Sequence, residues 1–232
     1  MRPPLLRIED LSIHFGRADD PLRAVDRASF EVQRGETVVL VGESGSGKSI
    51  TALAMMRLLP HAARIANGNI FLDNIDILAL PENQMRDIRG RRVGMIFQEP
   101  QTSLNPVITI GKQIGEVLRR HKGLRGQPLT DRIIELLDAV EIPDAKRRIG
   151  EFPHQFSGGM KQRVMIAIAM AAEPDLLLAD EPTTALDVTV QAQVLDLLKK
   201  QQRTTDMGIL FITHDLGVAY QMADRLVVMK DG

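Results

Sequence analysis

Residues 37–41, Thr-Val-Val-Leu-Val, run without a break into Gly42-Glu43-Ser44-Gly45-Ser46-Gly47-Lys48-Ser49. A helical pattern follows, from about Lys48 to Leu59, which Pro60 helps to stop. The β-branched run lacks polar alternation, as a parallel strand buried on both faces does. The next eight residues match G-x-x-x-x-G-K-[ST] without a gap, between the strand and the helix where that motif belongs. Gly42, Gly45 and Gly47 let the backbone wrap a phosphate chain with successive amides pointing inward. The start of the helix aims its positive end at the same anion. Lys48 would reach the β- and γ-phosphates, and Ser49 would ligate magnesium.

Composition narrows the class further. With 232 residues, 44% hydrophobic and only 3% aromatic, the core must be aliphatic. The 29 basic and 30 acidic residues nearly cancel, which gives no sign of a nucleic-acid-binding surface. The absence of cysteine excludes disulfides and thiolate metal sites. No apolar run approaches the roughly 18–20 residues of a membrane span, and the N-terminus has no apolar stretch long enough for a secretion signal. A soluble, intracellular α/β protein is expected.

Strands are expected over Leu5 to Phe15, where the alternation is imperfect, over Ala28 to Val32, and over Asn69 to Leu72 before an Asp73-Asn74 turn. From about 102 to 172 the pattern is helical. Thr130 is expected to cap one helix, with Ile133, Ile134, Leu136, Leu137 and Val140 on one face, and Ser157 another. Buried strands resume at Leu176–Ala179 and Ile209–Ile212, flanking an amphipathic helix with Val190, Val194, Leu197 and Leu198. Strands separated by helices imply a mostly parallel sheet. The expected organisation is one domain over 1–232: an α/β core from 1–101 and 173–232, with 102–172 as a helical insertion. Arg225 to Lys230 reads as a strand, and Asp231-Gly232 as a hairpin turn with no returning strand. The chain is therefore expected to be cut from something longer.

Further candidate residues sit at element ends. Asp180 closes the buried run 176–179, where α/β sheets place ligand-binding groups; it should hold magnesium through water. Glu181 follows, and a carboxylate there can orient an attacking water or take its proton. Taken alone, an Asp-Glu pair is also an ordinary solvated turn. Ser157-Gly158-Gly159 is a second potential anion site at a helix start, or a plain cap.

The ordered set of residues 42–49, Phe97-Gln98-Glu99, Ser157-Gly158-Gly159, Leu178-Ala179-Asp180-Glu181 and Thr213-His214-Asp215 resembles the nucleotide-binding domain of ABC transporters over essentially the whole chain. The resemblance implies a P-loop NTPase (RecA-like) core, an N-terminal antiparallel β subdomain and an inserted helical subdomain. Phe156 to Gln162 looks like the family's signature motif, Ala185-Leu186-Asp187 its D-loop, Gln98 its Q-loop glutamine and His214 its switch histidine. Phe15 stands where the family keeps an aromatic that stacks on adenine; a strand phenylalanine is otherwise core. The implied catalytic set is Glu181, His214 and Gln98. ATP and Mg2+ are the implied cofactors, the metal held by Ser49, Gln98 and Asp180. Residues 42–49, Ile50, Phe15, Gln98 and His214 would bind nucleotide in one domain. Ser157, Gly158, Gly159, Met160 and Asp187 would complete the site of a second ABC ATPase domain in a head-to-tail pair.

Three positions depart from the family pattern. Phe156 replaces the usual leucine, and Met160 the usual glutamine. Ile50 stands where a second hydroxyl residue often follows Ser49, with Thr51 displaced by one.

The runs 41–49, 95–100, 103–106 and 153–159 look like the dipeptide/oligopeptide/nickel importer branch. That likeness implies an ATPase subunit energising uptake of peptides or a similar small solute. It would lie on the cytoplasmic face of the inner membrane, bound to integral-membrane permease subunits and, through them, to a periplasmic or extracellular solute-binding protein. The second ATPase domain would be a related subunit or part of the same polypeptide. The alternatives are an ATPase of an exporter or lipoprotein-release system, and a non-transport ABC ATPase acting on ribosomes or DNA.

Overall fold

The computed structural model describes residues 3–17, 21–98, 103–184 and 186–232. Its strands form two sheets. The antiparallel sheet contains β1 (Leu6–Phe15), β2 (Leu22–Val32), β4 (Ala63–Leu72) and β5 (Ile75–Asp76) in the order β2-β1-β4-β5. The other contains β3 (Thr37–Val41), β6 (Val93–Ile96), β7 (Leu176–Asp180), β8 (Gly208–Thr213) and β9 (Arg225–Val228) in the order β6-β7-β8-β3-β9. All of its pairings are parallel.

The uninterrupted apolar run at 37–41 is explained by cover on both faces. Val38 and Leu40 pack with Leu176, Leu178, Leu210 and Ile212 against the antiparallel sheet and helix α1 (Lys48–Met55). Val39 and Val41 face the other way, with Leu177, Ala179, Ile209 and Phe211. That second core is completed by α3 (Ile110–Lys122), α4 (Gly126–Ala139), α6 (Gly158–Met170), α7 (Val188–Thr205) and α8 (Leu216–Met222). The chain also has the short helices α2 (Glu82–Ile88) and α5 (Ala145–Arg148) and a 3-10 turn at Pro153–Gln155. The helices α3 to α6 all lie between β6 and β7 in the chain. No helix among the described residues is long and apolar enough to cross a membrane.

The imperfect alternation of β1 has a structural cause. Its pairing shifts register between Ile8 and Leu11 against β2 and between Glu9 and Ser12 against β4, and Asp10 there takes φ 46°. The irregularity resets side-chain parity, so Leu6, Ile8, Leu11 and Ile13 are all buried. The Asp73-Asn74 turn joins β4 to β5 with both residues at positive φ, 46° and 67°, as a two-residue hairpin with right-handed twist requires.

Several boundaries differ from expectation. Helix α1 ends at Met55, before Leu59, because Arg57 turns left-handed (φ 51°) and the Leu58 amide bonds back to the Leu53 carbonyl at 2.9 Å. Strands β2 and β4 begin earlier than their apolar cores suggest, since cross-strand hydrogen bonds carry exposed residues along. Thr130 does not cap α4. The helix starts at Gly126, Pro128 occupies its first turn where no amide donor is needed, and the Thr130 hydroxyl bonds back to the Gly126 carbonyl at 3.4 Å. Ser157 does cap α6, its Oγ accepting from the Met160 amide at 3.3 Å.

Candidate functional site

Strand β3 ends at Val41, and the chain then makes the glycine-rich turn before α1. Gly47 takes φ 99°, and a Cβ there would lie 2.4 Å from the Ala24 carbonyl oxygen, so only glycine fits. A Cβ on Gly42 would lie 2.3 Å from the Met229 carbonyl oxygen. The Met229 amide in turn donates to the Val41 carbonyl at 2.8 Å. The loop is thus held between the β1–β2 hairpin and the segment after β9.

Lys48 is 5% exposed, and its Nζ donates to the carbonyls of Gly42 and Glu43, both at 2.8 Å. Among the described residues no acidic side chain lies within ion-pair distance of it, so the loop keeps a nearly buried cation available to an anion. Beside it, the Ser49 hydroxyl donates to Asp180 Oδ1 at 3.0 Å. Burial pushes the Asp180 carboxyl above the usual carboxylate range, against the opposing Ser49 hydrogen bond, and the neighbouring Glu181 charge adds to the rise.

Glu181 follows β7 in a left-handed conformation (φ 47°), its amide bonded to the Ile212 carbonyl at 3.0 Å. Three side chains then hold its carboxylate. Gln98 Nε2 donates to Oε2 at 3.0 Å and the Thr184 hydroxyl donates to the same oxygen at 2.9 Å. His214 Nδ1 lies 3.0 Å from Oε1. Burial would push the Glu181 carboxyl up, but the hydrogen bonds from His214 and Thr184, with the charges of His214 and Lys48, hold it below the ordinary range.

His214 is placed between β8 and α8, where Asp215 Oδ1 caps α8 by accepting from the Gly217 and Val218 amides at 2.7 and 3.2 Å.

A cleft of about 270 Å³ gathers these groups: Phe15, Ser44, Gly45, Gly47, Lys48, Ser49, Ile50, Gln98 and Glu181 line it, with Ala24. Gly42, Glu43 and Ser46 lie on the neighbouring side of the loop, towards Met229 and Lys230. Phe15 is half-buried at the end of β1, its ring on the cleft wall instead of in the core. Ser157, Gly158, Gly159, Met160 and Asp187 do not line this cleft. Glu99 and Ala185, quoted within the glutamine and Ala-Leu-Asp motifs, lie outside the described residues. Sequence reasoning assigned no role to Thr184 or Ala24. A hydroxyl three residues after Glu181 was the available signal for Thr184; nothing marked Ala24.

The residues present fit a magnesium nucleotide. Hydroxyl and carboxylate oxygens 3.0 Å apart suit a hard divalent cation, and a loop with a buried, ionically unpaired lysine suits a phosphate chain.

A parallel sheet with a glycine-rich loop and lysine after one strand, an acidic pair after another and helices on its face is the arrangement of a P-loop nucleotide-binding fold. The chain belongs to the ABC transporter family, whose model matches residues 25–184. It is 49% identical, over 98% of its length, to an oligopeptide transport ATP-binding protein of Bacillus subtilis, and spans 64% of that protein. A putative peptide import ATP-binding protein of Brucella ovis is 52% identical over the whole chain, which covers 70% of that relative. The fold also matches a dimeric ATP-binding cassette in a post-hydrolysis state bound to ADP and Pi. The TM-score is 0.86 at 29% identity, with 98% of this chain and 95% of that one covered.

Proposed function

We propose that this chain is the ATP-binding and ATP-hydrolysing cassette of an importer for peptides or a similar small solute. The observation that carries the reading is the Glu181 carboxylate, fixed by Gln98, Thr184 and His214 at the mouth of the cleft that holds Lys48 and Ser49. Phosphoryl transfer to water is chiefly a matter of positioning and charge stabilisation, and these groups supply both.

Lys48 and the amides of residues 42–49 would bind the phosphate chain, and Phe15 would stack on the base. Ser49 and Asp180 would hold a magnesium ion, which neutralises charge on the phosphate oxygens when bound. Gln98 spends its Nε2 on Glu181, leaving Oε1 for the metal or the attacking water. Glu181 is charged at neutral pH and accepts the proton of the water whose oxygen attacks the γ-phosphorus, as the bond to the bridging oxygen breaks. His214 holds Glu181 and reaches the γ-phosphate through its other ring nitrogen.

Ser157, Gly158, Gly159, Met160 and Asp187, away from the cleft, would act on the nucleotide of a second cassette. Closing and reopening of that pair would drive permeases in the membrane, with the cassette peripheral on the cytoplasmic face and a solute-binding protein delivering substrate. The names of the relatives support the peptide class and the import direction. The test is solute uptake and ATP turnover by the full chain reconstituted with its permeases in vesicles. Uptake that requires ATP and a peptide-specific binding protein supports the reading. Turnover without any solute movement refutes it.

A further inference from the structure

The start of α6 and the start of α7 are seamed together by a pair of matched contacts. Gly159 lies so close to α7 that a Cβ on it would sit 2.8 Å from Val190 Cγ1. One turn along α6, on the same face, Arg163 Nη2 donates to Gln193 Oε1 of α7. Positions 159 and 163 on one helix thus meet 190 and 193 on the other. Asp187, whose Oδ1 caps the Val190 amide at 2.9 Å, is the next residue up that seam.

The other guanidinium nitrogen of Arg163 reaches a third element. Its Nη1 donates to the carbonyls of Val140 and Glu141 at 3.4 and 3.1 Å, and to Glu141 Oε2 at 3.0 Å. These carbonyls terminate α4, where Glu141 turns left-handed (φ 57°) and the helix end is electronegative. The Arg163 side chain is only 12% exposed although Glu141 is 67% exposed, so the guanidinium is the fixed member of the pair.

We infer that Arg163 is a positioning residue, clamping α6 to α4 and α7 so that Ser157–Gly159 and Asp187 present one rigid lip to the partner cassette. It touches neither the cleft nor the residues that hold Glu181. Its effect is therefore felt at the partner's nucleotide and not at its own. The inference rests on the proposed reading that residues 157–160 and Asp187 act across a cassette pair.

The test uses the full chain carrying Glu181→Gln to suppress turnover, with magnesium ATP as the probe. Sedimentation reads ATP-driven pairing, and titration of dilute, unpaired chain reads ATP affinity. Adding Arg163→Ala should weaken pairing about tenfold or more, the scale of a hydrogen-bonded charge, while leaving the affinity of the unpaired chain unchanged. Arg163→Lys should fall between, because an ammonium cannot span Glu141 and Gln193 together. Gln193→Ala, at an exposed position, should weaken pairing less but in the same direction. If the Glu181→Gln parent does not pair with ATP, the reading of a shared site fails and this inference fails with it. If the parent pairs and both Arg163→Ala and Gln193→Ala pair equally well, only the clamp is overturned. Loss of ATP affinity in the unpaired Arg163→Ala chain would show a general structural role and overturn it too.

Discussion

The Ser49 hydroxyl donates to Asp180 Oδ1 at 3.0 Å, joining the first turn of α1 to the end of β7 across 131 positions of sequence. Burial raises the Asp180 carboxyl, so the folded chain binds that proton more tightly than the unfolded chain. The group's favourable contribution is thus complete below its unfolded value and is lost as pH rises through its folded one. Asp180→Asn, which keeps an acceptor for Ser49, should raise the melting temperature of the nucleotide-free chain by roughly 2–4 °C per kcal/mol recovered. It should also abolish the extra stabilisation that magnesium adds to ATP. Calorimetry with and without the metal reads both effects.

Glu181 is displaced in the opposite direction, so its stabilising contribution persists above the unfolded carboxylate value and is lost as pH falls through the folded one. The acid limb of ATP turnover should accordingly lie below the ordinary carboxylate range. His214→Ala removes a hydrogen bond that keeps it low and should move that limb upward. Glu181→Gln should preserve ATP binding and reduce kcat by about 10²–10⁴-fold, the usual share of a positioned base. Steady-state rates across pH, paired with binding titrations, check all three points.

Lys48→Ala deletes a nearly buried cation whose Nζ donates to two loop carbonyls at 2.8 Å and to Ser46 Oγ at 3.4 Å. ATP affinity should drop about 10- to 100-fold, in keeping with a charge-assisted contact of about 1.5–3 kcal/mol. Titration calorimetry measures it directly, and unchanged affinity would remove the lysine from the phosphate site.

Gly47→Ala places a methyl group 2.4 Å from the Ala24 carbonyl at φ 99°. The combined clash and backbone strain should cost about 1–3 kcal/mol or more of stability and open the phosphate loop. Denaturant melts should show a lower midpoint without a changed slope, and nucleotide protection should vanish.

Phe15→Ala should weaken ATP by about 1–3 kcal/mol, the scale of base stacking on an aromatic ring, yet leave inorganic tripolyphosphate binding unchanged. Equal losses for both ligands would return Phe15 to a role in the β1 wall alone.

The chemistry-bearing parts of this chain were legible because each demands particular residue types at short fixed spacing. Residues 42–49 need glycine where a neighbouring backbone intrudes, and a lysine and hydroxyl directly after; the buried strands before Asp180 and His214 announce themselves as aliphatic runs. The spread of the antiparallel sheet was less legible. Leu22 at the start of β2 is 71% exposed, and much of β4 is solvated, so no apolar alternation marks where those strands begin. The parity reset at Asp10 and the early end of α1 at Arg57 arise from positive-φ residues that are not glycine, which composition does not flag. Thr184 acquires its meaning only when β7, β8 and the segment at Gln98 converge on one carboxylate.

Because the Met229 carbonyl fills the volume a side chain at residue 42 would need, the residue just past the edge strand β9 fixes glycine at the head of the loop. There is no slack in that contact. The residue type at the head of the loop is thus dictated by backbone from a distant part of the sequence.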